Sequence, residues 1–195
     1  MRQCIDGLLR KRPPELSYKR MTMKAHGLIW LFAFGVATAE ILPPQVPESL
    51  KAPATELVLL KAVGKGKQIY ACKAKVDNAA QFEWVLARPD ADLLNDQGAK
   101  IGKHYAGPTW EAVDASKVVG QVQQRANAPQ PEAVPWLLLK AKANEGTGKF
   151  SHVSYIQRVN TAGGVAPAGG CDKEHAGNEV SIDYHADYYF YGPRP

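Results

Sequence analysis

The chain has 195 residues, enough for one domain, and carries 24 Lys and Arg against 19 Asp and Glu, a formal charge of +5. Seven of the basic residues (Arg2, Arg10, Lys11, Arg12, Lys19, Arg20, Lys24) but only two acids (Asp6, Glu15) precede residue 40, so the remainder is balanced at 17 of each. A nucleic-acid binder keeps a basic stripe on its folded part, and this balance argues against that class.

In chain order, the first feature is a leader. Met21-Thr-Met-Lys24 precedes a short apolar run, Leu28 to Val36, and then Ala37-Thr38-Ala39, small residues at the two positions that a signal peptidase reads. Residues 1–39 are therefore expected to be a leader with a signal peptide, cleaved before Glu40, and the protein to be secreted or periplasmic. Residues 1–20, basic and containing Cys4, are either a long amino-terminal region of that signal or upstream of a start at Met21 or Met23. The apolar run is shorter than the ~20 residues that cross a bilayer, and no later run reaches that length, so no transmembrane segment is expected after cleavage. Only Cys72 and Cys171 then remain, an even count in an oxidising compartment, which predicts one disulfide. Neither has a CxxC or CxxH companion, so a zinc site is not indicated, and no cofactor is expected.

Residues 40–54 are rich in proline (Pro43, Pro44, Pro47, Pro53) and predict an extended arm lying over a domain surface. Residues 55–195 are expected to form a single β domain. Thr55 to Val63, Gly64-Lys-Gly-Lys67 and Gln68 to Ala74 read as a hairpin with a glycine turn. Phe82 to Ala87 reads as a strand stopped by Arg88-Pro89-Asp90, and Asn95-Asp-Gln-Gly98 as a turn before Ile101. Trp110 to Val113 and Ser116 to Arg125 are further strand candidates, and 126–135, with Pro129, Pro131 and Pro135, a loop. Strands are predicted over 136–143 and 149–160, joined by the turn Asn144 to Gly148, with a Gly/Pro-rich passage leading to Cys171. The final strand alternates strictly: Val180, Ile182, Tyr184, Ala186, Tyr188 and Phe190 on one face, Ser181, Asp183, His185, Asp187 and Tyr189 on the other. With no helical periodicity anywhere in this part, the fold class is all-β: a sandwich or compact barrel of about eight strands, with one disulfide.

The segments IYAC (69–72), GKHYAGPTWE (102–111), VPWLLLKA (134–141), GKFSHVSYIQRVNTAGGVAP (148–167) and YHADYYFYGP (184–193), in that order, resemble a secreted bacterial and fungal family known as domain of unknown function 3455. The resemblance covers roughly Leu42 to Gly192 and implies a signal-bearing, β-rich single domain. Some fungal members carry a malate-dehydrogenase-like label. This chain has no strand–GxGxxG–helix unit to support dinucleotide binding. The resemblance brings no catalytic residues with it.

Chemistry concentrates in two places. Gly102 to Glu111 sets His104, Tyr105, Trp110 and Glu111 within ten residues of an expected loop, where the aromatic rings could stack on a sugar or aromatic ligand while His104 and Glu111 supply polar contacts. The competing reading is a structural corner with Trp110 plugging the core. Asp183, His185 and Asp187 share one face of the last strand, with Asp172, Glu174 and His175 after Cys171. They are weak metal candidates beside the alternative of an ordinary polar face. Arg158 is expected to point outward and pair with an acid, although an inward Arg158 could anchor a carboxylate. Ser151, Ser154 and Ser181 lack a nucleophile elbow, and the paired glycines at 163–164 and 169–170 lack a P-loop lysine. Together these readings favour an exported binding or surface-associated protein for a carbohydrate or small molecule. The alternatives are a metal-assisted or acid–base extracellular enzyme and a structural envelope protein without a ligand.

Overall fold

The computed structural model describes residues 40–194. The leader assigned to 1–39 lies outside the described residues. Eight antiparallel strands follow one another around a closed barrel: β1 (Glu56–Ala74), β2 (Phe82–Leu94), β3 (Lys100–Tyr105), β4 (Thr109–Ala112), β5 (Lys117–Ala126), β6 (Trp136–Glu145), β7 (Tyr155–Gly163) and β8 (Glu179–Pro193). Of the two all-β forms expected, the barrel is the one adopted. β1 pairs with β8 from Glu56–Pro193 to Ala71–Glu179, which shuts the ring. The alternation read in the last strand sets its faces: Tyr184, Ala186, Tyr188 and Phe190 are buried, whereas Ser181, Asp183 and His185 are exposed.

Four element expectations change, one of them at residues 102–111, where a hairpin stands in place of the expected loop. Residues 55–74 do not form a hairpin, because β1 runs unbroken through Gly64 and Gly66. Those glycines serve close packing instead of a turn. A Cβ on Gly64 would meet the Tyr188 ring, and one on Gly66 would fall inside the contact radius of the Asp90 carbonyl and Ala91 Cα. β2 likewise continues through Arg88-Pro89-Asp90. A register shift beside Ile69–Tyr70 makes room for the extra residue of a β-bulge, next to which Pro89 pairs with Gln68 without breaking the strand. The strand expected over 149–160 begins only at Tyr155. Residues 149–154 instead turn inward, held by Asn144 Nδ2 donating to the carbonyls of Phe150 (2.7 Å) and Val153 (3.0 Å).

That turn fills one half of the barrel. Phe150 packs on Phe190 with ring centroids 4.6 Å apart, and Leu93, Val118, Val153 and Ile156 surround the pair. Outside the barrel, residues 40–54 run extended except for a short 3₁₀ turn at Glu48–Leu50. Val46 and Ala52 of this segment, with Val58, Trp136 and Tyr155, pack against Val159, Tyr189 and Tyr191 on the outer face of the wall. Gln157 Nε2 donates to the carbonyl of the fully buried Leu50 at 2.5 Å, and Tyr191 donates its hydroxyl proton to Gln157 Oε1. β7 and β8 are thus buried on both faces over part of their length.

The predicted disulfide is present: Cys72 and Cys171, 99 residues apart, are bonded with their Cα atoms at 5.4 Å. Around it the Cys72 N–H donates to the Asn178 carbonyl and the Gly177 N–H to the Cys72 carbonyl, both at 2.9 Å. Trp84 Nε1 donates to the Gly169 carbonyl at 2.9 Å. The long connection from β7 to β8 is therefore fastened along β1 and β2. A bridge closing a loop of this length contributes about 4–5 kcal/mol in the chain-entropy model. The double variant Cys72→Ser/Cys171→Ser is expected to lose about 2–5 kcal/mol of unfolding free energy in guanidinium titrations. Gly66→Ala should cost about 1–3 kcal/mol, because the intruding methyl meets backbone that cannot swing aside. Gly169→Ala, where a Cβ meets nothing within 4 Å, should leave the midpoint nearly unchanged.

Candidate functional site

The segment Gly102 to Glu111, expected as a loop, is a tight hairpin. β3 and β4 pair from Gly102–Ala112 to Tyr105–Thr109, leaving only Ala106-Gly107-Pro108 as the turn, with Gly107 at φ +112°. Because strand residues alternate in direction, this hairpin divides the four candidate ligand contacts between the two faces of the wall. His104 and Trp110 are directly opposite each other and buried inside. Tyr105 and Glu111 lie on the other face, where the Tyr105 hydroxyl donates to Glu111 Oε2 at 2.8 Å and Lys103 Nζ stands 3.6 Å from the same carboxylate. Burial together with the Glu111 contact pushes the Tyr105 phenol up to about 12, and the same bond holds the Glu111 carboxyl below its ordinary range. His104 and Glu111 therefore cannot act as one acid–base pair, since the wall stands between them.

Inside, the His104 ring stacks on Trp110 with centroids 4.4 Å apart and planes 10° from parallel. Tyr188 presents its edge to both, at 5.3 and 5.5 Å. His104 Nδ1 lies 2.9 Å from the Thr109 carbonyl. A carbonyl only accepts, so Nδ1 carries the proton and Nε2 keeps its lone pair. Burial lowers the His104 pKa to about 3, with the Arg158 charge adding to the fall and the Thr109 bond opposing it. The imidazole is neutral at physiological pH.

The aromatic group forms the floor of a cavity of about 390 Å³ that occupies the half of the barrel Phe150 does not reach. Gln68, Tyr70, Leu137 and Leu139 line it as well, and the exposed Leu86, Val122 and Arg125 mark its mouth. Tyr70 donates its hydroxyl proton to the Gly164 carbonyl at 2.6 Å, which ties the wall to the start of the β7–β8 connection. Tyr184 and Tyr188 hydroxyls are 3.2 Å apart, and burial raises the pKa of both. Gln68 Nε2 and Trp110 Nε1 are buried donors without a hydrogen-bond partner among the described residues.

Arg158 reverses its expected orientation. In β7 it faces inward with Ile156, lines the cavity, and donates from Nε (3.2 Å) and Nη2 (2.8 Å) to the Pro135 carbonyl. No acid pairs with it among the described residues. The cause is the arm outside: it covers Gln157 and Val159, so the inward face is the one that opens on polar space.

Asp183, His185 and Asp187 do share an outward face, but they do not converge. Asp183 pairs with Lys67, and Asp187 accepts from Asn160 Nδ2 at 3.0 Å and stands 4.0 Å from Lys61 Nζ. Asp172 and His175 bond each other at 2.7 Å on the exposed connection, which raises the His175 pKa through that hydrogen bond. Among the described residues no group of three or more His, Cys, Asp and Glu side chains is arranged to hold a metal ion. The residues that sequence reasoning did not assign to a site are Gln68, Tyr70, Leu137, Leu139 and Tyr188. The parity of β8 already pointed Tyr188 inward, and the others needed the strand register.

Fold and cavity together define a closed, disulfide-braced, up-and-down β-barrel whose interior is packed at one end and hollow at the other. The chain belongs to the family described as "Protein of unknown function (DUF3455)", which matches residues 53–192, in agreement with the resemblance carried by its motifs. No curated protein and no solved structure matches it.

The buried imidazole gives a pH signature. Below pH ~6.5 the unfolded chain binds a proton at His104 that the native barrel refuses until about pH 3. Stability should therefore fall as pH falls through that window, with a slope of about 1.4 kcal/mol per pH unit from this one group. Urea midpoints measured from pH 7 to pH 3.5 are expected to fall less steeply for His104→Gln, by one proton's worth of slope, with the two proteins parallel above pH 7.

Proposed function

We propose that this is an exported small-molecule-binding protein whose ligand enters the open end of the barrel and rests on the His104–Trp110–Tyr188 floor. The single observation that carries this is the cavity itself. Eight-stranded barrels have an interior just wide enough either to be filled by side chains or to hold one small ligand. Here Phe150 and its neighbours fill one half only. The other half has the size and the mixture of apolar wall and few polar groups typical of ligand pockets. The disulfide supports export, because such bridges persist in oxidising compartments.

Among ligand types, a compound with an apolar body fits this wall better than a carbohydrate. The two rings proposed as a sugar platform are on opposite faces: Trp110 is buried inside, and Tyr105 is engaged outside by Glu111 and by Lys103, whose Nζ is 5.3 Å from the ring centroid. An acid–base enzyme built on His104 with Glu111 is disfavoured by the same separation.

A neutral fluorescent naphthylamine, N-phenyl-1-naphthylamine, tests the proposal. It should bind with about 1:1 stoichiometry, gain emission and quench tryptophan fluorescence. Val122→Trp, which enlarges an exposed residue at the mouth, is expected to weaken binding at least tenfold while keeping the native melting profile. Equal binding by the two proteins, or none by either, would remove the cavity as the site.

A further inference from the structure

We propose that the ligand class of this cavity is a small organic monocarboxylate, its apolar body against Trp110, Leu137 and Leu139 and its carboxylate on Arg158. This rests on the reading of the cavity as a binding site and adds the charge of what it binds.

The charges around the cavity are one-sided. Its lining includes His104 and three arginines, Arg88, Arg125 and Arg158, and not one Asp or Glu. The three arginines are not equivalent. Arg88 is already engaged by Glu179 through two bonds, Nη1 to Oε1 at 2.7 Å and Nη2 to Oε2 at 3.0 Å. Arg125 is exposed at the rim, where solvent screens it. Arg158 is partly buried; it donates from Nε and Nη2 to one neutral carbonyl, that of Pro135, and its remaining partner is the neutral Tyr188 hydroxyl rather than an acid. A guanidinium has five N–H donors in a planar fork, so this arrangement fixes its plane while leaving N–H groups to serve an acceptor in the cavity.

A partly buried guanidinium without a counter-ion is costly, and a carboxylate is the group its fork matches in two parallel bonds. His104 does not compete for the role. Its Nδ1 proton is committed to Thr109, and the ring is neutral. One unneutralised charge inside calls for a single negative charge, which favours a carboxylate over a phosphate dianion. Gln68, whose Nε2 is buried without a partner in the same wall, adds an amide donor beside the site. Apart from these groups and the two outer arginines, the wall is mostly aliphatic or aromatic, so the body of the molecule is apolar.

The test compares two ligands of the same shape, 3-phenylpropionate and its neutral amide 3-phenylpropionamide, by titration calorimetry at pH 7.5 and low salt. The wild-type protein is expected to bind the acid at least tenfold more tightly than the amide. Arg158→Gln should bring the two within about twofold of each other while keeping a cooperative melting transition, and Arg158→Lys should keep part of the preference. Equal affinity for acid and amide in the wild type would overturn the carboxylate assignment and leave the cavity as a site for neutral compounds. That comparison needs no variant, so a poorly folding Arg158→Gln would not shield the proposal. A preference that survives in a well-folded Arg158→Gln would also overturn it. Failure of the acid, the amide and the naphthylamine alike to bind would overturn the binding-site reading together with this one.

Discussion

The stack of His104 on Trp110, with Tyr188 at its edge, is the partition on which the interior depends. Three large rings from β3, β4 and β8 meet at mid-barrel, each brought inward by strand parity. On one side the aliphatic and phenylalanine side chains close-pack around Phe150 and Phe190. On the other the rings face space that the remaining side chains are too small or too polar to fill. The imidazole suits this position because its one necessary hydrogen bond is made locally, to the Thr109 carbonyl at the hairpin end. Buried in this way it stays neutral and behaves as a flat ring with one lone pair. A protonated imidazole in the same place would add a second positive charge beside Arg158 with no anion near either.

Small residues make this partition possible. Gly64, Gly120 and Gly102 lie where a Cβ would meet the Tyr188 ring, the Trp110 ring and the backbone at Glu111. The Tyr188 and Trp110 rings therefore lie almost against the backbone of the neighbouring strands at Gly64 and Gly120. Side-chain size is redistributed from several strand positions into three rings, which gives a firm floor without filling the barrel to its mouth.

Much of this was legible in the chain. The strict alternation from Val180 to Phe190 gave both the strand and its inward face, because its outer face is polar along half its length. Cysteine parity gave the bridge. Where the reading failed, the same residue type carries two physical meanings. Glycine in Gly64-Lys-Gly-Lys67 is a turn signal and also a close-packing signal, and only the presence of Tyr188 and Ala91 across the wall decides between them. Pro89 looked like a strand end because the neighbouring bulge that accommodates it involves a partner strand. Arg158 was ambiguous for a different reason: β7 is covered on its outer face by the arm, so both of its faces carry apolar residues and the period of two loses its polarity. The division of His104 and Trp110 from Tyr105 and Glu111 follows at once from a hairpin register, but a segment read as a loop has no register.

The seam that closes the barrel joins its first strand to its last. Every interior group contributed by β8, Tyr184, Tyr188 and Phe190 among them, reaches its neighbours on β1 across more than a hundred residues of chain, and so does the long ladder between these two strands. Local hairpins can zip β1 to β7 into a curled sheet, but that sheet keeps two unpaired edges and lacks the Tyr188 ring of the cavity floor until β8 is added. Such non-local topologies fold slowly, since the loop-closure entropy falls due before the contacts that offset it exist. Ring closure and the cavity floor therefore rest on the same pairing, that of the last strand with the first.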